Sequence, residues 1–344
     1  MVSRGTKSVD GSRPSLTQVA RAAGVSVGTV SHVLNHPGRV RESTRRRVEE
    51  AIGELGFVRN TNASSLAGMD SRTVGFVAFD IGNSFFVDIA RGAQEKARGE
   101  GMVLHVGHSD NDVSLQDRHI EAFSSARATG ILLAPMTDPT DALAGIRRAG
   151  TPAVLLNYDW EGPDHCSVLV DNVQVGYTAA RHMIELGRTR LAFVAGHHDA
   201  QPVRDRRDGV MRAVAEAERV TVEEVAVSDL EMEAGLEAGR RVAGAPEGSR
   251  PDGVIAVTDM LGAAIIQSLR DAGLSVPGDV AVMGCDHNVN AWGGSMPLTS
   301  VKLHGAAMGS AAIELLLDEL KGVEHAHRRV VIEPTLVVRQ STGG

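Results

Sequence analysis

Polar residues gather directly behind apolar runs in FDIGNSFF (Phe79–Phe86), GHSDN (Gly107–Asn111), LNYDW (Leu156–Trp160), VDN (Val170–Asn172), GHHD (Gly196–Asp199), TDM (Thr258–Met260) and GCDHN (Gly284–Asn288). Asp, Asn, Ser and Thr so placed supply hydrogen-bonding groups for a polyhydroxylated or similarly polar ligand. Their chemistry is recognition rather than bond-making. GxSxG, HExxH, a Walker loop and GxGxxG are all missing, and no Cys/His set has ligand spacing along the chain. His197 and His198 are adjacent, so a strand end would point them apart; loop histidines are expected there rather than metal ligands. Cys166 and Cys285 have no CxxC spacing, so a reduced compartment, no cofactor and no structural metal are expected.

A second kind of chemistry sits at the other end. Residues 1–60 hold ten Lys/Arg and five Asp/Glu, net +5, whereas the chain as a whole is −8, which leaves −13 for the remainder. A basic head on an acidic body fits a protein of which only the head meets phosphate. Arg39 and Arg41 lie in a Pro/Gly loop, and Arg45, Arg46 and Arg47 fall early in the helix expected from about Glu42 to Leu55. Cations there oppose the helix dipole, which suggests phosphate contact, the plainer alternative being a solvated charged face.

The element that would carry these cations is SLTQVARAAGVSVGTVSHVLN, Ser15–Asn35. Leu16, Val19, Ala20 and Ala23 make one apolar stripe at helical spacing, Ser15 with Gln18 reads as a capping box, and Gly24 suits a C′ position. A second helix follows, with Ser26 as its N-cap and Val30, Val33 and Leu34 inward. Two short helices about one tight turn are the form of a DNA-binding helix-turn-helix, or of an ordinary helical hairpin.

From Thr73 onward the texture is strand and helix in alternation. Runs such as TVGFVAF, MVLHV, GILLA, LAFVA, VAV, GVIAV and VAVMG read as strands buried on both faces. Helical segments such as Phe86–Arg98, Val173–Leu186 and Leu261–Ala272 lie between runs. That alternation predicts parallel, doubly wound α/β sheets, and about 270 residues are enough for two similar subdomains. Ligands in such folds bind at the carboxyl ends of strands, where the polar stretches fall. No run approaches a membrane span, and the N-terminus lacks an apolar signal region, so a cytoplasmic protein without membrane contact is expected.

The order helix-turn-helix, short linker, two-lobed α/β body resembles the LacI/GalR family of bacterial transcription regulators. TQVARAAGVSVGTVSHVLN is close to that family's signature, and ELGFVRN, SSLAG, DIGNSFF, VDN, LGRTRLAFVAG, VTDMLGAAIIQSLRDAGLSVPGDVAVMGCD and LTSVKLHGAAMGSAAIELL follow in the family's order. The resemblance implies an all-α helix-turn-helix domain and an α/β, two-lobed, periplasmic-binding-protein-like effector domain of parallel doubly wound sheets. The boundaries expected are a disordered tail over 1–13, a DNA-binding domain over 14–59, a hinge over 60–72 and an effector-binding and dimerisation domain over 73–344. The chain would cross between lobes near 172, 302 and 331.

Carried over by position, Val27, Gly28 and His32 face base edges, with His32 standing where arginine is common and offering one bond to guanine N7 in place of two. Thr29, Ser31 and Asn35 are placed for phosphate or base contact, with core packing as the alternative for Thr29. Thr17, Ser26, Arg39, Arg45 and Asn60 complete the DNA-facing set. Leu66 matches a leucine that wedges into the minor groove at the operator centre, and Arg59 replaces a frequent proline. In the body, Arg206 and Asp286 match effector contacts, the alternative for Arg206 being a surface ion pair with Asp205 or Asp208. Asn83, Phe85, Asn157, Thr258 and Asp259 would line the same cleft. Trp160 and Trp292 fall near its mouth as a stacking platform or as core filling, and around Leu230 the aromatic frequent in sugar-binding relatives is absent.

The function so implied is a sequence-specific repressor acting on a pseudo-palindromic double-stranded DNA operator, as a homodimer with a tetramer as the alternative, under allosteric control by a small effector, a sugar first. A purine effector is the near alternative and would call for aromatic faces on both sides of the base. A solute-binding transport protein shares the body but not the basic head. An enzyme would need a catalytic set that the chain does not show.

Overall fold

The structure, a computed structural model, describes residues 14–57, 71–196, 199–288, 296–322 and 325–344, which fall into two compact units divided between Met69 and Asp70. The expected tail over 1–13, Arg59, Asn60, Leu66 and most of the hinge lie outside the described residues, as do His197, His198 and Trp292.

The first unit is α1 (Leu16–Ala23), α2 (Val27–Asn35), a 3-10 turn (Pro37–Arg39) and α3 (Glu42–Leu55). Ser15 and Gln18 form the reciprocal capping box, the Gln18 amide donating to Ser15 Oγ at 3.3 Å and the Ser15 amide to Gln18 Oε1 at 2.7 Å. Gly24 closes α1 at φ +63°, where a side chain would be strained. Two residues on, Ser26 Oγ accepts from the Thr29 amide at 3.1 Å and starts α2. Val19, Ala20, Ala23, Val30, Val33, Val48 and Ala51 then bury one small core shared by the three helices.

The second unit holds two six-stranded sheets. Its elements run β1 (Thr73–Ala78), α4 (Ser84–Gly99), β2 (Val103–His108), α5 (Val113–Ser125), β3 (Gly130–Leu133), α6 (Thr140–Arg148), β4 (Ala153–Leu156) and β5 (Cys166–Val170). The chain then crosses to α7 (Asn172–Glu185), β6 (Arg190–Ala195), α8 (Gln201–Ala215), β7 (Thr221–Ala226), α9 (Met232–Gly244), β8 (Gly253–Ala256), α10 (Asp259–Asp271), β9 (Ala281–Gly284) and β10 (Thr299–Lys302). It returns through α11 (Gly305–Leu320) to β11 (Arg329–Ile332) and crosses again to β12 (Thr335–Val337).

The sheets have the same order, β11-β5-β4-β3-β1-β2 in the first and β12-β10-β9-β8-β6-β7 in the second. Pairing is parallel throughout except for β12, which runs antiparallel to β10. Central strands such as β3, β4, β8 and β9 are buried on both faces, as their unbroken apolar runs predict. The edges depart from that expectation. In β7 the strand begins at Thr221, ahead of the apolar VAV run, and Glu223 and Glu224 are exposed because no strand covers its outer side. β2 and β11 are exposed edges for the same reason.

Helix α8 lies hard against α7. A Cβ on Gly176 would come 1.8 Å from the Arg206 carbonyl oxygen, and one on Gly209 1.9 Å from that of Val173, so only glycine permits the approach. This crossing fixes α8, and with it Arg206. Among the described residues no helix is long and apolar enough to cross a membrane.

Candidate functional site

In each sheet the strand order reverses beside the first strand of its lobe, between β1 and β3 and between β6 and β8. Parallel α/β sheets leave a crevice at such a point, at the strands' carboxyl ends. Here the two crevices face one another and enclose a cleft lined from both lobes, the concave, mostly apolar kind of setting with a few convergent polar groups that small-molecule sites use. Its walls come from residues just past strand ends: Phe79, Asn83, Met136 and Asn157 from the first lobe, Arg206 and Thr258 among those of the second.

Asn83 caps α4 through Oδ1, which accepts from the Phe85 amide at 2.9 Å. Its Nδ2 donates across the cleft to Asp286 Oδ2 at 2.6 Å. Asp286 Oδ1 in turn accepts from the Asp259 amide at 3.0 Å. Asn157 stands at φ +53°, a left-handed conformation that asparagine tolerates better than most residues. Its Oδ1 accepts from Asn172 Nδ2 at 3.2 Å, and Asn172 Oδ1 accepts from Arg206 Nε at 3.0 Å. This Arg206–Asn172–Asn157 chain passes from lobe to lobe beside the first crossing.

Arg206 is 5 % exposed, and its Nη1 donates to the Val257 carbonyl at 2.8 Å. The surface ion pair with Asp205 or Asp208 is not made: no carboxylate among the described residues lies within ion-pair distance of the Arg206 guanidinium. Nη2 has no hydrogen-bond partner among those residues. A buried cation with one free edge, facing a cleft, is set to grip a carboxylate or a pair of hydroxyls.

Asn83, Phe85, Asn157, Arg206, Thr258 and Asp286 all line this cleft. Asp259 does not, and that expectation is corrected. It is 0 % exposed behind Asp286, where Ser300 Oγ donates to its Oδ1 at 2.5 Å. Burial, and then the charge of Asp286, push its carboxyl well above the usual range and favour the protonated form. Asp259 therefore braces Asp286 from behind. Trp160 is also no part of the cleft; it packs on the other face of the first sheet with Ile131, Leu133 and Leu155. Sequence reasoning missed Asn172 as a bridging residue, together with Phe79, Phe86 and Met136 in the walls. The stretches FDIGNSFF and VDN held three of these four.

In the first unit, α2 turns outward Val27, 43 % exposed, with exposed Gly28 and His32, and half-buried Ser31 and Asn35. Asn35 Nδ2 donates to Ser31 Oγ at 3.3 Å, which holds both on that face. Thr29 is not in the core; its hydroxyl meets Ser26 Oγ at 2.9 Å in the cap. Thr17, Ser26 and Arg39 are exposed. Two of the three α3 arginines have acidic neighbours, Arg46 with Glu42 at 2.7 Å and Arg45 with Glu49 at 3.7 Å, which offsets part of their conflict with the helix dipole.

One cluster runs against the expectation drawn from cysteine spacing. Cys166, His325 and His327 bring Sγ and two ring nitrogens within 4.8 Å of one another. The set is invisible along the chain because Cys166 lies 159 residues from His325.

Comparison with known proteins finds the same two parts. The profile of the bacterial regulatory proteins, lacI family, matches residues 15–60, and that of a periplasmic binding protein-like domain matches residues 180–342. The HTH-type transcriptional repressor PurR of Aliivibrio fischeri (strain MJ11) is 30% identical over 330 residues, 95% of this chain and 97% of that one. A solved complex of the transcriptional regulator CelR with cellobiose is 30% identical with a TM-score of 0.69, covering 96% of this chain and 100% of that one. The lac repressor dimer bound to operator and the anti-inducer ONPF shares the fold at a TM-score of 0.81 and 23% identity, covering 96% of this chain and 99% of that one.

Proposed function

The chain belongs to the lacI family of bacterial regulatory proteins, and from that premise we propose that it is a homodimeric repressor whose interlobe cleft takes a sugar. It is a DNA-binding transcriptional regulator controlled by an effector, and not an enzyme. On this reading it acts in the cytoplasm beside the DNA it reads.

Two copies of α2 would enter successive major grooves of a pseudo-palindromic operator, protein symmetry matched to DNA symmetry. Val27 suits a thymine methyl, Ser31, His32 and Asn35 suit base edges or phosphates, and Thr17, Ser26, Thr29, Arg39 and Arg45 suit the backbone on either side. Gly28 lets the duplex approach the helix closely. Asn60 and Leu66 are proposed to follow in the hinge, Leu66 as a minor-groove wedge.

The observation that carries the effector reading is the buried Arg206 guanidinium with its free edge in the cleft. Asn157, Thr258, Asn83 and Asp286 surround it with the donors and acceptors a polyol needs. Aromatic lining among the described residues comes from one lobe only, Phe79, Phe85 and Phe86, opposite Leu230 and Val203. One aromatic wall suits the face of a sugar ring, whereas a purine held between two such walls would need a second. Trp292 is proposed as a further wall residue. Occupancy would reset the Asn83–Asp286 and Asn157–Asn172 bridges and so the angle between the lobes. Any effect of effector on operator affinity then returns as an equal effect of operator on effector affinity.

The test is a melting-temperature screen of mono- and disaccharides against purine bases, followed by gel shift on promoter fragments with each hit. A sugar that raises the melting temperature and changes operator affinity supports the reading. Stabilisation by purines alone would replace the sugar, and a protein that shifts no promoter fragment at low salt would end the operator assignment.

A further inference from the structure

We propose that Cys166, His325 and His327 form a zinc-binding site on the outer edge of the first sheet, remote from the effector cleft. Strand register builds it. β11 runs parallel to β5 with Arg329 opposite Ser167, and the Ser167 amide donates to the Arg328 carbonyl at 3.0 Å. The segment just before β11 therefore passes alongside Cys166, the first residue of β5. In extended chain, residues two apart share a face. His325 and His327 are both half-buried while Ala326 and Arg328 between and after them are exposed, so both rings turn to the same side.

That side holds the thiol. Sγ of Cys166 lies 3.1 Å from His325 Nε2 and 3.7 Å from His327 Nδ1. Tetrahedral zinc, with bonds of about 2.3 Å to sulfur and 2.0–2.1 Å to nitrogen, sets adjacent ligand atoms about 3.3–3.6 Å apart. The two distances straddle that range, so small ring rotations complete the geometry. The Arg328 amide donates to the sulfur at 3.3 Å, a bond that steadies a thiolate. One sulfur and two imidazoles form a borderline-soft donor set that suits zinc and excludes magnesium and calcium.

Two more buried polar atoms without a partner among the described residues flank the three. They are Nδ1 of His165, whose ring centre is 6.2 Å from that of His327, and Oε2 of Glu319. The three donors lie within 4.8 Å of one another and leave the fourth position of a tetrahedral ion to a water. Cys285 is no competitor, being 0 % exposed in the core with burial pushing its thiol up to about 12.

The consequence follows from connectivity. β11 is the last strand of the first lobe, and Ile332 leads directly to β12 of the second. Metal bound here pins the segment before β11 to β5 and stiffens one of the crossings on which lobe movement turns.

The experiment uses the full chain without a histidine tag, stripped by chelator and titrated with Co²⁺ as a spectroscopic stand-in for zinc. A thiolate-to-cobalt absorption band saturating at one equivalent per chain, and bleached by added Zn²⁺, is expected. Cys166→Ser should abolish the band. His325→Ala/His327→Ala, at half-buried positions, should fold normally and weaken binding by at least about tenfold. Zn²⁺ should raise the melting temperature of the wild type and of neither variant. Absence of the band, its survival in Cys166→Ser, or equal stabilisation of the variants by Zn²⁺ would overturn the site.

Discussion

Asn83 Nδ2 lies 2.6 Å from Asp286 Oδ2, a hydrogen bond that ties the two lobes together across the mouth of the cleft. The same asparagine caps α4 with its other side-chain atom. One residue thus sets the start of a helix in the first lobe and the spacing to the second.

These roles separate by substitution. Asn83→Ala should lose both, at a cost of about 2–3 kcal/mol in denaturant unfolding of the α/β unit, from a cap near 1 kcal/mol and a charge-assisted bond of about 1.5. Asn83→Ser keeps a capping oxygen and should recover roughly the cap's share, while still weakening the effector's grip. Equal stabilities for the two variants would show that the cap contributes nothing.

Arg206→Ala should abolish the effector's melting-temperature shift, since the guanidinium edge facing the cleft has no substitute among the lining residues. Arg206→Lys should also fail, because an ammonium cannot reach Asn172, the Val257 carbonyl and a ligand in one plane. Calorimetric titration with the sugar found by screening reads this directly. A lysine variant that binds normally would reduce the arginine to a plain positive charge.

How much of this was written in the sequence depends on the range of the interaction. Ser15 with Gln18, Gly24 and Ser26 act within one helical turn, and their caps stand as the spacing predicts. Strand-end polar stretches located most of the cleft because parallel α/β topology itself puts strand ends at the crevice. What escaped is long-range. Asp259 sits beside its expected neighbours in sequence, yet α10 turns it behind Asp286. Cys166 meets two histidines only because β11 returns to β5 from the far end of the chain. β7 was half-read because an edge strand need not be apolar.

Gly209→Ala tests how finely Arg206 is held. The added methyl would lie 1.9 Å from the Val173 carbonyl oxygen, which is backbone and cannot turn aside. Overpacking of this kind costs about 1–3 kcal/mol, and more where backbone must move. Unfolding should show at least that loss, with weaker effector binding, although the altered residue touches no ligand. Full effector affinity at reduced stability would separate the helix crossing from the site.

Asp205 makes stability depend on pH. Burial raises its carboxyl from 3.8 to about 6, against the opposing pull of Arg204. The folded chain therefore holds this proton more tightly than the unfolded one. The favourable contribution is complete below about pH 4 and is lost as pH rises through 6. A shift of about two units has a ceiling near 3 kcal/mol, and about 1–2 after allowance for solvent screening. Asp205→Asn should accordingly flatten the stability profile between pH 4 and 6.5 and be the more stable form at pH 7. Parallel profiles for the two proteins would place the proton elsewhere.

The head is tested by salt. A side chain that neutralises one phosphate contributes about −0.9 to the slope of log K against log salt, and its removal leaves a shallower line. Arg39→Ala and Arg45→Ala should each lower the slope by about 1 and weaken all sequences alike. His32→Arg should act differently, because a guanidinium makes two bonds to guanine where imidazole makes one. That variant should favour operators with guanine at a single position in each half-site by about 1–3 kcal/mol and leave others nearly unchanged. Selection from a randomised operator library distinguishes the patterns. A His32 variant that gains on every sequence equally would place residue 32 against phosphate, and the base-reading role would then pass to Val27 and Ser31 on the same outer face of α2.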